Sequence, residues 1–117
     1  MTQEQRENVE EWAVAMESGK YPQTIGCLRD TTGYCCIAVA CVIKGVQSRK
    51  EGDEYRFFFG ETEDGEEISE TGDANDCWFY RTYGIESRTE LINMNDSGGY
   101  DFPEIAAYIR KTYLSTP

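Results

Sequence analysis

Between Asn93 and Glu104 the chain reads N-M-N-D-S-G-G-Y-D-F-P-E. Oxygen-bearing side chains stand at positions 1, 3, 5 and 9 of this stretch, glycine at position 6 and a carboxylate at position 12. That is the spacing of a calcium loop, because Ca²⁺ gathers about six to eight oxygens and glycine permits the sharp turn between them. Position 1 is Asn93 rather than aspartate, and Pro103 stands at position 11. The same spacing describes a polar helix-to-helix turn closed by caps, and the two departures favour that reading over a calcium-binding module at 93–104.

Cysteine is the second candidate. Cys27, Cys35, Cys36, Cys41 and Cys77 include no C-x-x-C pair. On a helix the adjacent Cys35 and Cys36 diverge by about 100°, so they do not converge on one zinc ion. The chain contains no histidine. This excludes a Ser-His or Cys-His mechanism within one chain, the HExxH site and the Cys₂His₂ site. An odd number of cysteines without a secretory signal reads as reduced, mostly buried thiols. Neither a metal nor another cofactor is expected.

The third candidate is Arg29-Asp30, followed by Gly33-Tyr34 at the entrance to an apolar segment. An arginine beside a helix N-terminus suits an anionic ligand. The plainer alternative is an arginine that pairs with Asp30 or caps a turn. A small-ligand site would draw on Arg29, Asp30, Tyr34, Asn95 and Asp96.

The fourth candidate is a matter of charge. The net charge is −11, and the segment Glu51 to Asp76 holds eleven acidic residues against one basic residue, Arg56. The remainder carries eleven acidic and ten basic residues. Such a segment repels phosphates and attracts cationic surfaces, so direct nucleic-acid binding is not expected. Glu61, Glu63, Asp64, Glu66 and Glu67 are the candidate partner-binding residues. Alternatively, the charge only deters edge-strand aggregation.

These residues must be positioned by a small number of elements. With 117 residues the chain fits one domain, 1–117, with the acidic part as an insertion at about 51–76. Val9, Trp12, Ala13 and Met16 form one apolar stripe, which predicts a helix over Thr2 to Ser18. Thr24 to Leu28 reads as a short strand. Tyr34 to Lys44 is apolar on nearly every side and is expected to be a buried central helix ended by Gly45. Glu54 to Ser69 reads as a hairpin turning at Asp64-Gly65, with Tyr55, Phe57 and Phe59 on one face. The aromatic cluster Cys77 to Tyr83 fits helix or strand. Ser87 with Glu90, and Asp101 with Glu104, have capping-box spacing and predict two further helices. The fold class is therefore α+β: three to four helices around the central one, with a small antiparallel hairpin or three-stranded sheet. The longest apolar run, Tyr34 to Ile43, is ten residues, too short for a membrane span, which needs about 20.

Gly19-Lys20-Tyr21, Leu28-Arg29-Asp30, Gly33-Tyr34-Cys35-Cys36, Val39 and Cys41, followed by Asn95-Asp96-Ser97-Gly98 and Phe102, Glu104-Ile105-Ala106, carry a resemblance. This ordered pair of blocks resembles a family of small bacteriophage- and prophage-encoded proteins of unknown function. The family pattern is L-R-D…Y-C-C-x-G-V-x-C, then N-D-x-G…F-x-E-I-A. Here Ala38 replaces the usual glycine, and the Gly98-to-Phe102 spacing is one residue longer. The resemblance implies a phage accessory protein in the host bacterial cytosol and supplies no activity. The expected function is non-enzymatic: binding and inhibiting a host protein, such as a defence factor. The alternative is sequestration of a small anionic ligand or nucleotide signal.

Overall fold

The computed structural model describes residues 1–59, 78–85 and 88–114. Among them are five α-helices and one two-stranded antiparallel hairpin, an α+β fold. Helix α1, Gln3–Glu17, opens with a complete capping box: Thr2 Oγ1 accepts from the Gln5 amide (3.1 Å), and Gln5 Oε1 accepts from the Thr2 amide (2.8 Å). Its stripe Val9, Trp12, Ala13 and Met16 is buried. Helix α2, Cys36–Val42, is buried at six of its seven positions. It starts later than the apolar run because Tyr34 and Cys35 are held extended. The Tyr34 amide donates to Pro22 O (2.8 Å) and that of Cys35 to Leu28 O (2.7 Å).

The aromatic cluster resolves as helix α3, Trp78–Tyr83, with Phe79 and Tyr83 buried against Trp12. Helix α1 supplies caps for the end of α3. Gln5 donates to the Tyr80 and Arg81 carbonyls, and Asn8 Nδ2 donates to Thr82 O (2.9 Å), meeting carbonyls that a short helix cannot pair itself. Helix α4 spans Thr89–Asn95. The Ser87 half of its expected capping box lies outside the described residues. Helix α5, Phe102–Ile109, has its Asp101/Glu104 capping box formed, and Arg110–Leu114 extends it as a π-helical turn.

Packing centres on α1, which meets α2, α3, α5 and the π-helical turn, while α2 meets α1 and α4. Arg110 fixes α5 along α1, with a bidentate pair to Glu10 (3.1 and 2.9 Å) and a contact to Glu17 (2.6 Å). These pairs are partly exposed, so solvent screening keeps their contribution small. Full burial of Trp12 removes about 150–250 Å² from water, roughly 4–6 kcal/mol by area. The apolar stripe therefore decides the packing, and the ion pairs trim it.

One expectation is corrected. Thr24 to Leu28 is not a strand; only isolated bridges flank it, at Gln23↔Tyr34, Arg29↔Tyr34 and Asp30↔Glu54. A hairpin that was not expected is present: β1, Gln47–Glu51, pairs with β2, Glu54–Phe58, through Gly52-Asp53, while most of the expected Glu54–Ser69 hairpin lies outside the described residues. Gly52 has φ +67° and no described non-glycine residue has positive φ, which matches a type II′ turn with glycine at its first central position. Asp64-Gly65 lies outside the described residues. The predicted alternation holds along β2, where Phe57 is buried and Arg56 exposed.

Within the core, the Tyr83 hydroxyl donates to Ala40 O at 2.6 Å, and burial pushes its pKa upward. Tyr83→Phe leaves that carbonyl without its partner and is expected to cost about 1–3 kcal/mol in urea unfolding, with the m-value unchanged.

Candidate functional site

The candidate residues gather around one loop, 23–34, whose two ends are drawn together. The Thr24 amide donates to Tyr34 O (2.8 Å), and the Asp30 amide to Gly33 O (3.0 Å). Gly33 makes the closure possible: a Cβ there would stand 2.4 Å from Pro22 O. Asp30 folds the loop tip. Its Oδ1 accepts from the Thr32 hydroxyl (2.6 Å), the Thr32 amide (2.8 Å) and the Gly33 amide (3.0 Å), and its Oδ2 accepts from Thr24 Oγ1 (2.9 Å). These bonds, those from Thr32 first, hold its carboxyl well below the usual aspartate range.

Arg29 does not pair with Asp30. Its guanidinium carbon lies 3.9 Å from the ring centroid of Tyr55 and 4.7 Å from that of Tyr34, and Nη1 donates to Ser48 Oγ (3.2 Å). The Tyr55 amide donates to Arg29 O at 3.0 Å. Arg29 therefore clamps the hairpin to the loop through cation–π contacts and two hydrogen bonds. The structure brings Arg29 and Tyr34 together as expected, but their contact is internal.

Asn95 and Asp96 sit on the other side of the same loop. Asn95 is 1 % exposed. Its Nδ2 donates to Thr24 O and Asp96 Oδ1, both at 2.9 Å. Its Oδ1 accepts from Gln23 Nε2 (2.9 Å) and the Cys36 amide (3.2 Å). Asp96 Oδ1 also accepts from the Gly26 amide (3.1 Å). Gln23 Nε2 reaches on to Tyr100 O at 2.8 Å. Nothing local in the sequence marks Gln23 or Thr24 as partners of Asn95, which reads there as an ordinary helix end.

The oxygens of the calcium-like stretch are engaged in closing the turn. Asn95 faces inward, Ser97 Oγ donates to Asn93 O (3.4 Å), and Asp101 and Glu104 bond each other's backbone. Among the described residues no three carboxylate or thiol groups gather as a metal ion would need. Glu61, Glu63, Asp64, Glu66 and Glu67 lie outside the described residues. The described part of the acidic segment places Glu51, Asp53 and Glu54 exposed at the hairpin tip.

Cys35, Cys36 and Cys41 are buried and Cys27 is half-buried. Burial, then the neighbouring Cys35, pushes the Cys36 thiol up, and its Sγ donates to Leu91 O. Burial, then the Asp30 charge, raises that of Cys27.

The fold and the loop define an α+β protein organised around an internally bonded turn. Residues 1–67 match the family described as Domain of unknown function (DUF8296), and the chain belongs to it. No curated protein and no solved structure matches the chain.

Two measurements check this site. Because the folded-state pKa of Asp30 is depressed, its contribution to stability is present above the unfolded pKa, near about 4, and is lost as pH falls below it. Urea midpoints measured from pH 7 to pH 3 should fall more steeply for the wild type than for Asp30→Asn. Parallel slopes would show that Asp30 gains nothing from its turn. In the folded protein, a thiol reagent followed by mass mapping should label Cys27 before Cys35, Cys36 or Cys41. Fast labelling of Cys35 would show that its thiol is reached without unfolding.

Proposed function

We propose that this chain is a non-enzymatic binding protein, of phage origin, that captures and inhibits a cationic host protein, such as a defence factor, in the bacterial cytosol. One observation carries the reading: eleven acidic residues against one basic between Glu51 and Asp76, which accounts for nearly all of the −11 charge. Where that segment begins, Glu51, Asp53 and Glu54 stand exposed at the tip of the β1–β2 hairpin. Carboxylates grouped in this way accelerate encounter with a cationic surface and disfavour acidic ones.

The contacts of Arg29 weigh against the small-anion alternative. A guanidinium stacked between two tyrosines and bonded to Ser48 is committed to joining hairpin and loop. The phage setting rests on the two ordered sequence blocks, and the family adds no activity to them.

The test reverses Glu61, Glu63, Asp64, Glu66 and Glu67 to lysine in one variant. Immobilised wild-type chain should capture a host protein from bacterial lysate. Association with that protein, once purified, should slow as salt rises, since screening shortens the field to about 8 Å at physiological ionic strength. The variant should lose capture while its melting temperature stays within a few degrees. Undiminished capture by the variant would reduce the acidic segment to a solubility device.

A further inference from the structure

We propose that the groove on either side of Tyr100 docks an extended segment of the partner protein bearing arginine or lysine; this rests on the reading above that the partner is a cationic protein, and it locates where a cationic side chain is held. Two cavities of about 500 and 440 Å³ share Tyr100 as their common wall. Both fall within the roughly 300–1,000 Å³ of ordinary ligand sites. One runs along α4 past Glu90 and Met94; the other lies between the 23–34 loop and the α4–α5 turn, past Ile25, Asp96 and Asp101. The described residues lining the two include three carboxylates and no lysine or arginine.

The apolar contribution is as specific as the charge. Ile25 is 62 % exposed and Tyr100 43 %, and these two large hydrophobic residues border the same cavity. Neither is on a loose strand of chain. The Tyr100 amide donates to Met94 O (3.0 Å) and its carbonyl accepts from Gln23. A Cβ on Gly98 would meet the Tyr100 ring at 3.0 Å, so glycine lets the ring lie close over the turn. Ile25 is held by the neighbouring Gly26 amide on Asp96. An exposed aromatic ring with a fixed backbone is preorganised, and ordering it on binding costs little. Its face attracts a guanidinium or ammonium, while carboxylates on both sides complete a cation's surroundings. An extended peptide laid across the Tyr100 ridge places alternate side chains in the two cavities. Charge complementarity therefore selects a cationic segment over an acidic or purely apolar one.

The experiment titrates full-length chain with a synthetic extended peptide alternating arginine and valine, followed by amide NMR and calorimetry. Shifts should concentrate at Ile25, Met94 and Tyr100. Tyr100→Ala should weaken binding about tenfold through faster dissociation, and Tyr100→Phe should restore it, because the ring face is kept. Tyr100 is exposed, so melting temperature should not move. A peptide with glutamine for arginine should bind at least about tenfold more weakly. The five-lysine variant of the acidic segment separates the two ideas. If that variant loses binding while Tyr100→Ala is unchanged, the groove proposal falls and the acidic-segment reading stands. If Tyr100→Ala weakens binding and the five-lysine variant does not, the groove stands and the acidic-segment reading fails. Equal affinity for the glutamine peptide, or concentration-dependent self-association abolished by Tyr100→Ala, would overturn the cationic occupant.

Discussion

A primary amide brings two N–H donors and two acceptor positions into any interior that buries it, and each must be met inside the protein. Asn95 meets all four: Thr24 O and Asp96 Oδ1 accept, while Gln23 and the Cys36 amide donate. Water cannot substitute at 1 % exposure, so each missing partner would cost on the order of 1–3 kcal/mol. The demand is geometric as well as energetic. The end of α4, the start of α2 and the 23–34 loop have one mutual arrangement in which the amide is satisfied. The placement of Asp96 against Gly26, and of Gln23 against Tyr100, follows from it.

The hairpin is attached by a different device on the opposite side of that loop. Arg29 reaches between Tyr34 and Tyr55 and touches Ser48 of β1, so one side chain joins loop, α2 entrance and both strands. A planar guanidinium suits this position better than an ammonium, because it stacks on both rings and still donates at its edge. The backbone repeats the link through Tyr55 and the Asp30↔Glu54 bridge. Phe57, buried in the core, anchors the far end of β2. The tip carboxylates therefore stand on a platform secured at both ends, although most of the hairpin surface faces solvent.

How legible this was in the sequence depended on how local the cause is. Helix α1 was readable from its stripe Val9, Trp12, Ala13 and Met16, and α5 from Asp101 with Glu104, because both signals lie within the helix or one turn of it. Strand β1 was not, because Q-S-R-K-E lacks alternating or β-branched residues and is a strand only by pairing with β2. Gly52, at φ +67°, makes the β1–β2 turn, and it went unread because β1 carries no strand signal of its own. At the candidate site, Arg29, Asp30, Tyr34, Asn95 and Asp96 were identified as residues that matter, but their roles were not legible. Arg29 and Asn95 act through partners many positions away: Tyr55 for Arg29, and Thr24 and Cys36 for Asn95. Only the 30–33 turn is closed by near neighbours.

The same contrast between local and distant effects separates the two surfaces assigned to binding. Charge concentrated between Glu51 and Asp76 acts beyond contact, over about one Debye length, and under the proposed function it would set how often a cationic partner arrives. The Tyr100 groove would act only at contact, through the ring and nearby carboxylates, and under the proposal it would set how long the partner stays. Exposed carboxylates alone make a poor grip, because each surface pair contributes on the order of 0–1 kcal/mol and weakens with salt. An exposed ring alone gives little selectivity. A chain with an acidic segment and a separately fixed aromatic ridge has both properties, and Asn95 allows it to hold the second without strain. Its amide supports the turn carrying Tyr100 from beneath, while its bonds to the 23–34 loop keep the opposite wall of the groove in register.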